Sequence, residues 1–250
     1  LLGPDAASVA PPPPFSGLTA LTTLRLYSNE ISGRLEAGTF DGGLRSIRSI
    51  VLHQNRIESL ADTGLFASLA TLAELDLRKN RLSALQNGTL AGLARLETLY
   101  LNSNRLARVE SGALSHLSSL RSLFLFGNTY LDRVPGGELP STLEHLSLSY
   151  NSLAVLRNGS FCCGALRRLN KLLVESNRLS TIEPDTFAFL PSLASLSLGL
   201  NRLRELPQGV FAAPPLASSL TFLSLYGNML EVVRRGWFSH YNSSSSINSR

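Results

Sequence analysis

The sequence predicts an α/β-type solenoid, a stack of similar units in which each unit adds one strand to a parallel sheet. Nine asparagines recur every 23 to 27 residues, each at the same point of the pattern L-x-x-L-x-L-x-x-N-x-L. A fixed period of this length is the signature of a repeat architecture. The L-x-L segment of each unit alternates apolar and variable residues, as a strand with one buried face does. We call these residues the asparagine ladder: Asn29, Asn55, Asn80, Asn104, Asn128, Asn151, Asn177, Asn201 and Asn228.

The strands are the first element of each repeat. They should run parallel, because every unit traces the same loop, and hydrophobic residues make up 44% of the chain, enough for one continuous core. The buried leucines should therefore line up in columns across the repeats. The predicted first column is Leu24, Ile50, Leu75, Leu99, Leu123, Leu146, Leu172, Leu196 and Leu223.

The asparagine ladder follows the strands, at the point where the chain turns. An asparagine side chain can hydrogen-bond nearby backbone and tolerates unusual backbone angles. We expect these residues to hold the turns together and to bind no ligand.

The second half of each repeat should form the outer wall. It carries an apolar residue ten or eleven positions after the asparagine, such as Phe40, Phe66 and Phe187. The segment is too short for a full helix, so extended or one-turn segments are expected. We divide the chain into a Pro-rich segment at 1–14, a solenoid of a partial leading repeat plus nine repeats at 15–240, and a Ser-rich tail at 241–250. We expect it to begin partway through a longer protein or to follow a removed leader.

The repeat resembles the typical leucine-rich repeat of extracellular animal proteins, L-x-x-L-x-L-x-x-N-x-L-x-x-L-x-x-x-x-F-x-x-L, over residues 15–240. Toll-like receptor ectodomains, variable lymphocyte receptors and small matrix proteoglycans carry this type. The resemblance implies a right-handed leucine-rich-repeat horseshoe with a parallel concave sheet and a mostly irregular or short-turn convex side. It also implies an extracellular location, secreted or at the cell surface. Such proteins usually have disulfide caps, whereas this chain has only Cys162 and Cys163.

No constellation in the sequence points to catalysis. His53 and His145 should share the concave face, but four repeats separate them, which at strand spacing is about 20 Å. Groups that share a proton must lie within hydrogen-bond reach. We expect no enzyme activity, no cofactor and no metal site. No apolar run is long enough for a membrane span. Cys162 and Cys163 are expected to be one buried and one partly exposed thiol, with a strained disulfide as the alternative.

Three N-x-S/T sequons begin at Asn87, Asn158 and Asn242. Asn87 and Asn158 both fall seven residues after their ladder asparagine, in a polar turn that should face outward. If the chain is secreted, we expect glycans at one or both, clear of the concave face.

The concave face should carry the functional information. Four positions per repeat, at six, four, two and one residues before the ladder asparagine, should face solvent. Tyr100 and Phe124 should stack there, since neighbouring strands lie about 4.8 Å apart. An exposed aromatic cluster indicates a binding site; the alternative is a row that merely stacks along the sheet. The candidate ligand-binding residues are Tyr100, Phe124, Phe126, Tyr150, Asp76, Arg78, Leu173 and Glu175.

A basic row directly follows the ladder and should line one lip of the horseshoe. It fits the formal charge of +5 and the pI near 9.6. Its role is either solubility or docking of an anionic polysaccharide or other anion. The concave face is not uniformly basic, which argues against nucleic acid as the main ligand. The row contains Arg56, Arg81, Arg105, Arg178 and Arg202.

These patterns favour an extracellular recognition module, of immune type or a cell-surface receptor, that binds a protein or other macromolecule on its concave face. One alternative is an extracellular matrix or adhesion component in which the solenoid is a spacer. A second alternative is an intracellular scaffold, which the low cysteine content allows.

Overall fold

The computed structural model describes residues 14–135, 139–161 and 166–238. Its main feature is a nine-stranded parallel sheet in which each strand pairs with the strand of the next repeat. Each strand is three residues long because the alternating L-x-L segment is interrupted on both sides by turns. The nine strands are β1 (Thr23–Arg25), β3 (Ser49–Val51), β5 (Glu74–Asp76), β7 (Thr98–Tyr100), β9 (Ser122–Phe124), β10 (His145–Ser147), β12 (Lys171–Leu173), β14 (Ser195–Ser197) and β15 (Phe222–Ser224).

Short strand pairs lie beside this sheet, in the segment after the ladder asparagine. In the described residues, three two-stranded parallel sheets form there, β2–β4, β6–β8 and β11–β13. They extend the stack over a second face of the solenoid. These strands are β2 (Ser32–Leu35), β4 (Arg56–Leu60), β6 (Ala84–Leu85), β8 (Arg108–Val109), β11 (Val155–Leu156) and β13 (Thr181–Ile182).

The predicted leucine column is confirmed. Leu99 on β7 pairs in register with Leu75 on β5 and with Leu123 on β9, and all three side chains are fully buried. The column continues through every strand of the main sheet. Only its end members, Leu24 and Leu223, are half-buried. The core is therefore one continuous row of leucines, as a solenoid requires.

The asparagine ladder does more than cap its own turn. In Asn104, Nδ2 donates to Leu101 O in its own repeat and to Leu77 O in the preceding repeat, each at 3.0 Å. Its Oδ1 accepts a hydrogen bond from Leu82 N, also at 3.0 Å. Buried backbone groups that no strand ladder reaches are thereby satisfied. The expectation of local turn bonding is correct, but the link to the preceding repeat is a finding of the structure.

The residue just before each ladder asparagine has a left-handed backbone. Its φ lies between 52° and 72° in all nine repeats. This conformation turns the chain out of the strand and presents the side chain at the concave edge. Small or polar residues such as Ser103 and Ser176 occupy most of these positions, but Tyr150 and Leu200 occupy two of them.

The convex side consists mainly of turns, as predicted. Stacked phenylalanines fill it at both ends of the stack, with ring centroids 5.8 Å apart for Phe15 and Phe40 and 6.2 Å apart for Phe187 and Phe211. The α-helix of the described residues, α1 (Pro214–Ser219), lies between Asn201 and Asn228, the longest interval of the asparagine ladder. A 3₁₀ turn follows at Arg235–Trp237. Within the described ranges, no helix has the length and apolarity needed to cross a membrane.

Candidate ligand-binding surface

The stacked pair Tyr100–Phe124 lies near the middle of the concave face. The two residues are partners in the register of β7 and β9. Their ring centroids are 4.8 Å apart and their planes differ by 6°. Both side chains are half-buried. The predicted stacking is confirmed, and it leaves one flat aromatic surface about two strands wide.

Arg78 is held in place beside this pair. Its Cζ lies 5.4 Å from the Tyr100 ring centroid, a cation–π arrangement. Its Nε lies 3.0 Å from Asp76 Oδ2, and its backbone N–H donates to Asp76 Oδ1 at 3.1 Å. The Arg78 side chain remains 41% exposed. The guanidinium is therefore oriented by the protein before any ligand arrives.

The position of the Asp76 side chain differs from the prediction. The alternation of the strand directs its side chain to the concave face, but the prediction that it points into solvent is wrong, because only 4% of the side chain is exposed. Arg78 covers it, and Tyr100 is its neighbour on the next strand. Burial raises the pKa of Asp76, while hydrogen bonding and charge from Arg78 act in the opposite direction. Burial likewise raises the pKa of the Tyr100 hydroxyl.

Phe126 and Tyr150 extend the aromatic surface towards the concave edge. Phe126 is half-buried, whereas Tyr150 is 58% exposed. Tyr150 also has the left-handed backbone described above, with φ of 56°, which is strained for a bulky residue. No ring contact joins Phe126 to Tyr150 in the described part of the chain. A strained and exposed tyrosine suggests a requirement other than folding.

Beyond the aromatic surface, small residues flank Leu173 on the concave face. Leu173 is half-buried, and its strand neighbours Ser147 and Ser197 are small and buried. Glu175 is fixed on both sides: the Ser197 hydroxyl donates to its carboxylate, and its backbone N–H donates to the Ser149 hydroxyl at 3.2 Å. Leu173 and Glu175 thus form a low rim beside the aromatic surface.

The structure adds two polar groups that sequence reasoning did not select. His53 stacks on Tyr27 with centroids 4.6 Å apart, and its buried Nδ1 has no hydrogen-bond partner among the described residues. The buried Oδ1 of Asn102 also has no hydrogen-bond partner among the described residues. His53, Arg78 and Asn102 all lie two residues before a ladder asparagine, so the alternation places them in one column. This shared position in the repeat is the sequence feature that could have identified His53 and Asn102 as neighbours of Arg78.

Within the described residues, the two histidines of the concave face do not lie together. His53 precedes β5 and His145 begins β10, so three strands of the sheet separate them. No group of three His, Cys, Asp or Glu side chains able to hold a metal occurs in the described residues. The expectation that the chain is not an enzyme stays a prediction.

The two internal sequons share one geometry. Asn87 and Asn158 are both exposed, and each begins an Asn-Gly turn. The backbone N–H of Asn87 donates to Glu110 Oε2 at 3.2 Å, and that of Asn158 donates to Glu183 Oε2 at 2.8 Å. The third sequon at Asn242 and the pair Cys162 and Cys163 lie outside the described residues. Glycosylation at all three asparagines remains a prediction.

The arginines of the lip are not equivalent. Arg56 Nη2 lies 2.8 Å from Glu30 Oε1, and Arg81 Nη1 lies 3.9 Å from Glu58 Oε1. The remaining members of the row have no carboxylate within 4.0 Å among the described residues. These members are Arg105, Arg178 and Arg202.

The stacked parallel strands, the asparagine ladder and the open concave sheet define a leucine-rich-repeat solenoid with a surface suited to binding. The leucine-rich repeat family model matches residues 45–106, 70–129 and 167–221, more than half of the sequence. The chain belongs to the leucine-rich repeat family.

Curated relatives are longer proteins. Mouse podocan is 31% identical over 221 residues, which is 88% of this chain and 30% of podocan. The U2 small nuclear ribonucleoprotein A' of Arabidopsis thaliana is 37% identical over 94 residues, which is 37% of this chain and 34% of that protein. The chain thus spans about a third of the length of these relatives.

Solved structures confirm the fold. The structure of the Toll–Spatzle complex of Drosophila matches with a TM-score of 0.70 at 22% identity, over 86% of this chain and 28% of the other. A complex of latrophilin 3, Unc5D and the leucine-rich repeats of FLRT2 matches with a TM-score of 0.65 at 26% identity, over 86% of this chain and 71% of the other.

Proposed function

We propose that this chain is an extracellular recognition module, of immune type or from a cell-surface receptor, whose concave face binds a protein ligand. The observation that carries the proposal is the stacked pair Tyr100–Phe124 with Phe126 and Tyr150 beside it. Aromatic side chains in a flat, partly exposed cluster are the usual anchors of protein interfaces. Arg78, at the margin of the cluster, is the residue type most often found with them.

The surface is organised before the ligand binds. Tyr100 and Phe124 restrict each other by stacking, and Asp76 fixes the guanidinium of Arg78. Association therefore costs little side-chain entropy at these positions. The buried charge of Asp76 acts through Arg78, so we assign Asp76 a positioning role rather than a contact with the ligand.

Two of the solved neighbours are complexes with protein ligands and support a protein as the ligand of this chain. One of them is a complex of Toll with Spatzle, and the other joins FLRT2 to latrophilin 3 and Unc5D. In this chain the rim mixes Arg78 with Glu175, and the concave face of the described residues is not uniformly basic, as a nucleic-acid site would be. A mixed-charge rim around an apolar centre is the composition of a protein interface.

An engineered glycan tests the location of the site. The sequence His145-Leu146-Ser147 becomes a sequon through the single change His145→Asn, and His145 is exposed on the concave face. We would screen the wild-type chain, made in animal cells, against a panel of purified secreted and cell-surface ectodomains. A protein that binds there should lose binding to His145→Asn and regain it when the glycan is removed enzymatically.

The matched control is His145→Gln, which carries no glycan and should bind like the wild type. Unchanged binding to fully glycosylated His145→Asn would place the ligand elsewhere on the solenoid. Loss of binding that persists after deglycosylation would point to a local folding defect.

A matrix or adhesion component is the second candidate. The segment Leu139-Pro140-Ser141-Thr142-Leu143 resembles the compact L-P-x-x-L unit of the small matrix proteoglycans, and the similarity to podocan covers most of this chain. Light scattering separates the two: a monomer at all concentrations favours recognition, and concentration-dependent assembly favours the matrix role.

The similarity to the U2 small nuclear ribonucleoprotein A' keeps an intracellular scaffold as a third candidate. Glycans at Asn87 and Asn158 discriminate against it. Mass spectrometry of protein from eukaryotic cells, before and after glycosidase, should show a loss of mass at one or both sites. No loss at either would favour the scaffold.

A further inference from the structure

The lip of the horseshoe has two halves with different electrostatics. Towards the N-terminal end, Arg56 pairs with Glu30 and Arg81 pairs with Glu58. These pairs neutralise the row locally. At the C-terminal end, the positive charge of Arg202 has no carboxylate within ion-pairing distance in the described part of the chain. Arg105, Arg178 and Arg202 therefore supply the unpaired positive charge of the row within the described residues, and Arg202 is the last of them.

The same end contains two adjoining clefts. Their volumes are about 830 Å³ and about 490 Å³, and Ser180, Glu205, Arg234 and Trp237 line both. We call the two together the basic cleft. Its charged lining consists of Arg202, Arg204, Arg234, Arg235, Glu205 and Glu231.

The basic cleft exists because lateral strand pairing stops in repeat eight. Strand β13 pairs with β11 of the preceding repeat. On the other side of β13, Arg202 N still donates to Leu179 O at 2.8 Å. Beyond Arg202, no backbone hydrogen bond joins residues 203–208 to residues 180–183 in the described part of the chain. Pro207, which has no N–H to donate, lies in this segment. The two repeats therefore separate and leave the edge of β13 as one wall of the cleft.

The side chains of the cleft are available to a ligand. Arg202, Arg204 and Arg234 are exposed, as are Glu205 and Glu231. Although both signs are present, none of these five side chains forms an ion pair with a described residue. A guanidinium matches the geometry of sulfate or carboxylate oxygens by donating two parallel hydrogen bonds. An exposed carboxylate accepts hydrogen bonds from hydroxyl groups.

We propose that the basic cleft binds a sulfated polysaccharide. The arginines pair with sulfate groups, and Glu205 and Glu231 accept hydrogen bonds from sugar hydroxyls. A saccharide carries both kinds of group on each unit, so it matches a lining of mixed charge better than a polyanion without hydroxyl donors does. Arg178 lies one repeat before Arg202 in the same row, at about one strand spacing, and extends the track for a linear chain.

This site is separate from the proposed concave surface. The cleft is lined by residues that follow the ladder asparagines, whereas the aromatic surface is formed by residues that precede them. A polysaccharide on the lip leaves Tyr100 and Phe124 free. The two proposals therefore succeed or fail independently.

The test uses a defined heparin octasaccharide as the probe, with binding to the full chain measured by calorimetry at several salt concentrations. The cleft variant is Arg202→Gln/Arg234→Gln, and the control Arg56→Gln/Arg81→Gln removes the same number of charges. We expect the cleft variant to bind at least tenfold more weakly and the control to stay within twofold of the wild type. Loss of two charge contacts should also reduce the slope of log Kd against log salt by about 1.

Further arms identify the class of ligand. The desulfated octasaccharide should bind at least tenfold more weakly than the sulfated form. Equal weakening by the cleft variant and the control would overturn the proposal, because it would mean diffuse attraction to net charge. Tighter binding of decaglutamate or of a single-stranded RNA octamer than of the octasaccharide would overturn it in favour of an acidic peptide or a nucleic acid. Thermal melting checks that each variant is folded.

Discussion

The two faces of the main sheet are built from alternate residues of the same strands, yet they differ in how much their sequence varies. The inner column contains leucine or isoleucine in every repeat. The neighbouring outer column contains Arg25, Val51, Asp76, Tyr100, Phe124, Ser147, Leu173, Ser197 and Ser224. Packing against the next repeat restricts the inner column to side chains of one shape, whereas the outer column contains large, small and charged side chains. Stability is therefore located in the inner column, and the proposed function places the ligand contacts in the outer one.

Substitutions on the two faces of strand β9 should differ most in their effect on the free energy of unfolding. Leu123 is fully buried, so Leu123→Ala should lower the free energy of unfolding by about 2–5 kcal/mol. Phe124→Ala, the adjacent residue on the outer face, should lower it by less than half as much. Urea denaturation of both variants measures this. Equal losses would mean that the concave face is part of the core.

Substitution of a buried ladder asparagine should have the next largest effect on the free energy of unfolding. Asn104→Ala leaves the N–H of Leu82 and the carbonyl groups of Leu77 and Leu101 without their side-chain partner. Because these buried groups become unsatisfied, we expect a loss of about 2–3 kcal/mol in the free energy of unfolding. Asn29→Ala is the control, because that exposed side chain donates only within its own turn. A loss for Asn29→Ala as large as that for Asn104→Ala would show that the link between repeats contributes nothing.

The variant Tyr150→Gly tests whether the backbone strain at Tyr150 is retained because the tyrosine binds the ligand. Tyr150→Gly relieves a left-handed backbone and should raise the free energy of unfolding by up to about 1 kcal/mol, less the extra entropy of the unfolded chain. The same variant should bind the concave ligand more weakly. Ser103→Gly relieves the same conformation in repeat four and should leave binding unchanged. If Tyr150→Gly binds normally, the tyrosine is not part of the site.

The smallest expected effect concerns Asp76. Burial raises the pKa of Asp76 above the ordinary value of an aspartate, so the folded chain binds this proton more tightly than the unfolded chain does. Its contribution to stability is then fully present below the unfolded pKa and is lost as pH rises through the folded pKa. The stability of the wild type relative to Asp76→Asn should fall as the pH rises from about 3 through the raised pKa, by about 1.4 kcal/mol per unit of pKa difference. A rise over this range would contradict the assigned direction.

The sequence was sufficient for the fold because the repeat fixes the register. Once Leu99 and Leu123 are placed side by side, Tyr100 and Phe124 must be neighbours too, and the stacking follows from strand spacing. The same reasoning predicted that the asparagines close turns. It could not show that Asn104 reaches back to Leu77, because that bond depends on how closely successive repeats pack.

The site was predictable only in part, because alternation gives the direction of a side chain but not what covers it. Asp76 points to the concave face as expected, and Arg78 then buries it. The lip arginines look alike in sequence, but ion pairing depends on which neighbour supplies a carboxylate. Glu30 and Glu58 are available in the first repeats, and no equivalent ion pair forms at Arg202 in the described residues.

The central claim is that the inner face of the sheet provides stability and the outer face binds the ligand. The double variant Phe124→Ala/Phe126→Ala tests it most directly. Its affinity for an ectodomain identified in the binding screen would be measured alongside its melting temperature. The proposed function predicts at least a tenfold loss of affinity with a fall in Tm of less than about 4 °C, since a loss of about 1 kcal/mol shifts a chain of this size by that much. Unchanged binding together with an earlier melt would show that these aromatics are structural and that the ligand binds elsewhere.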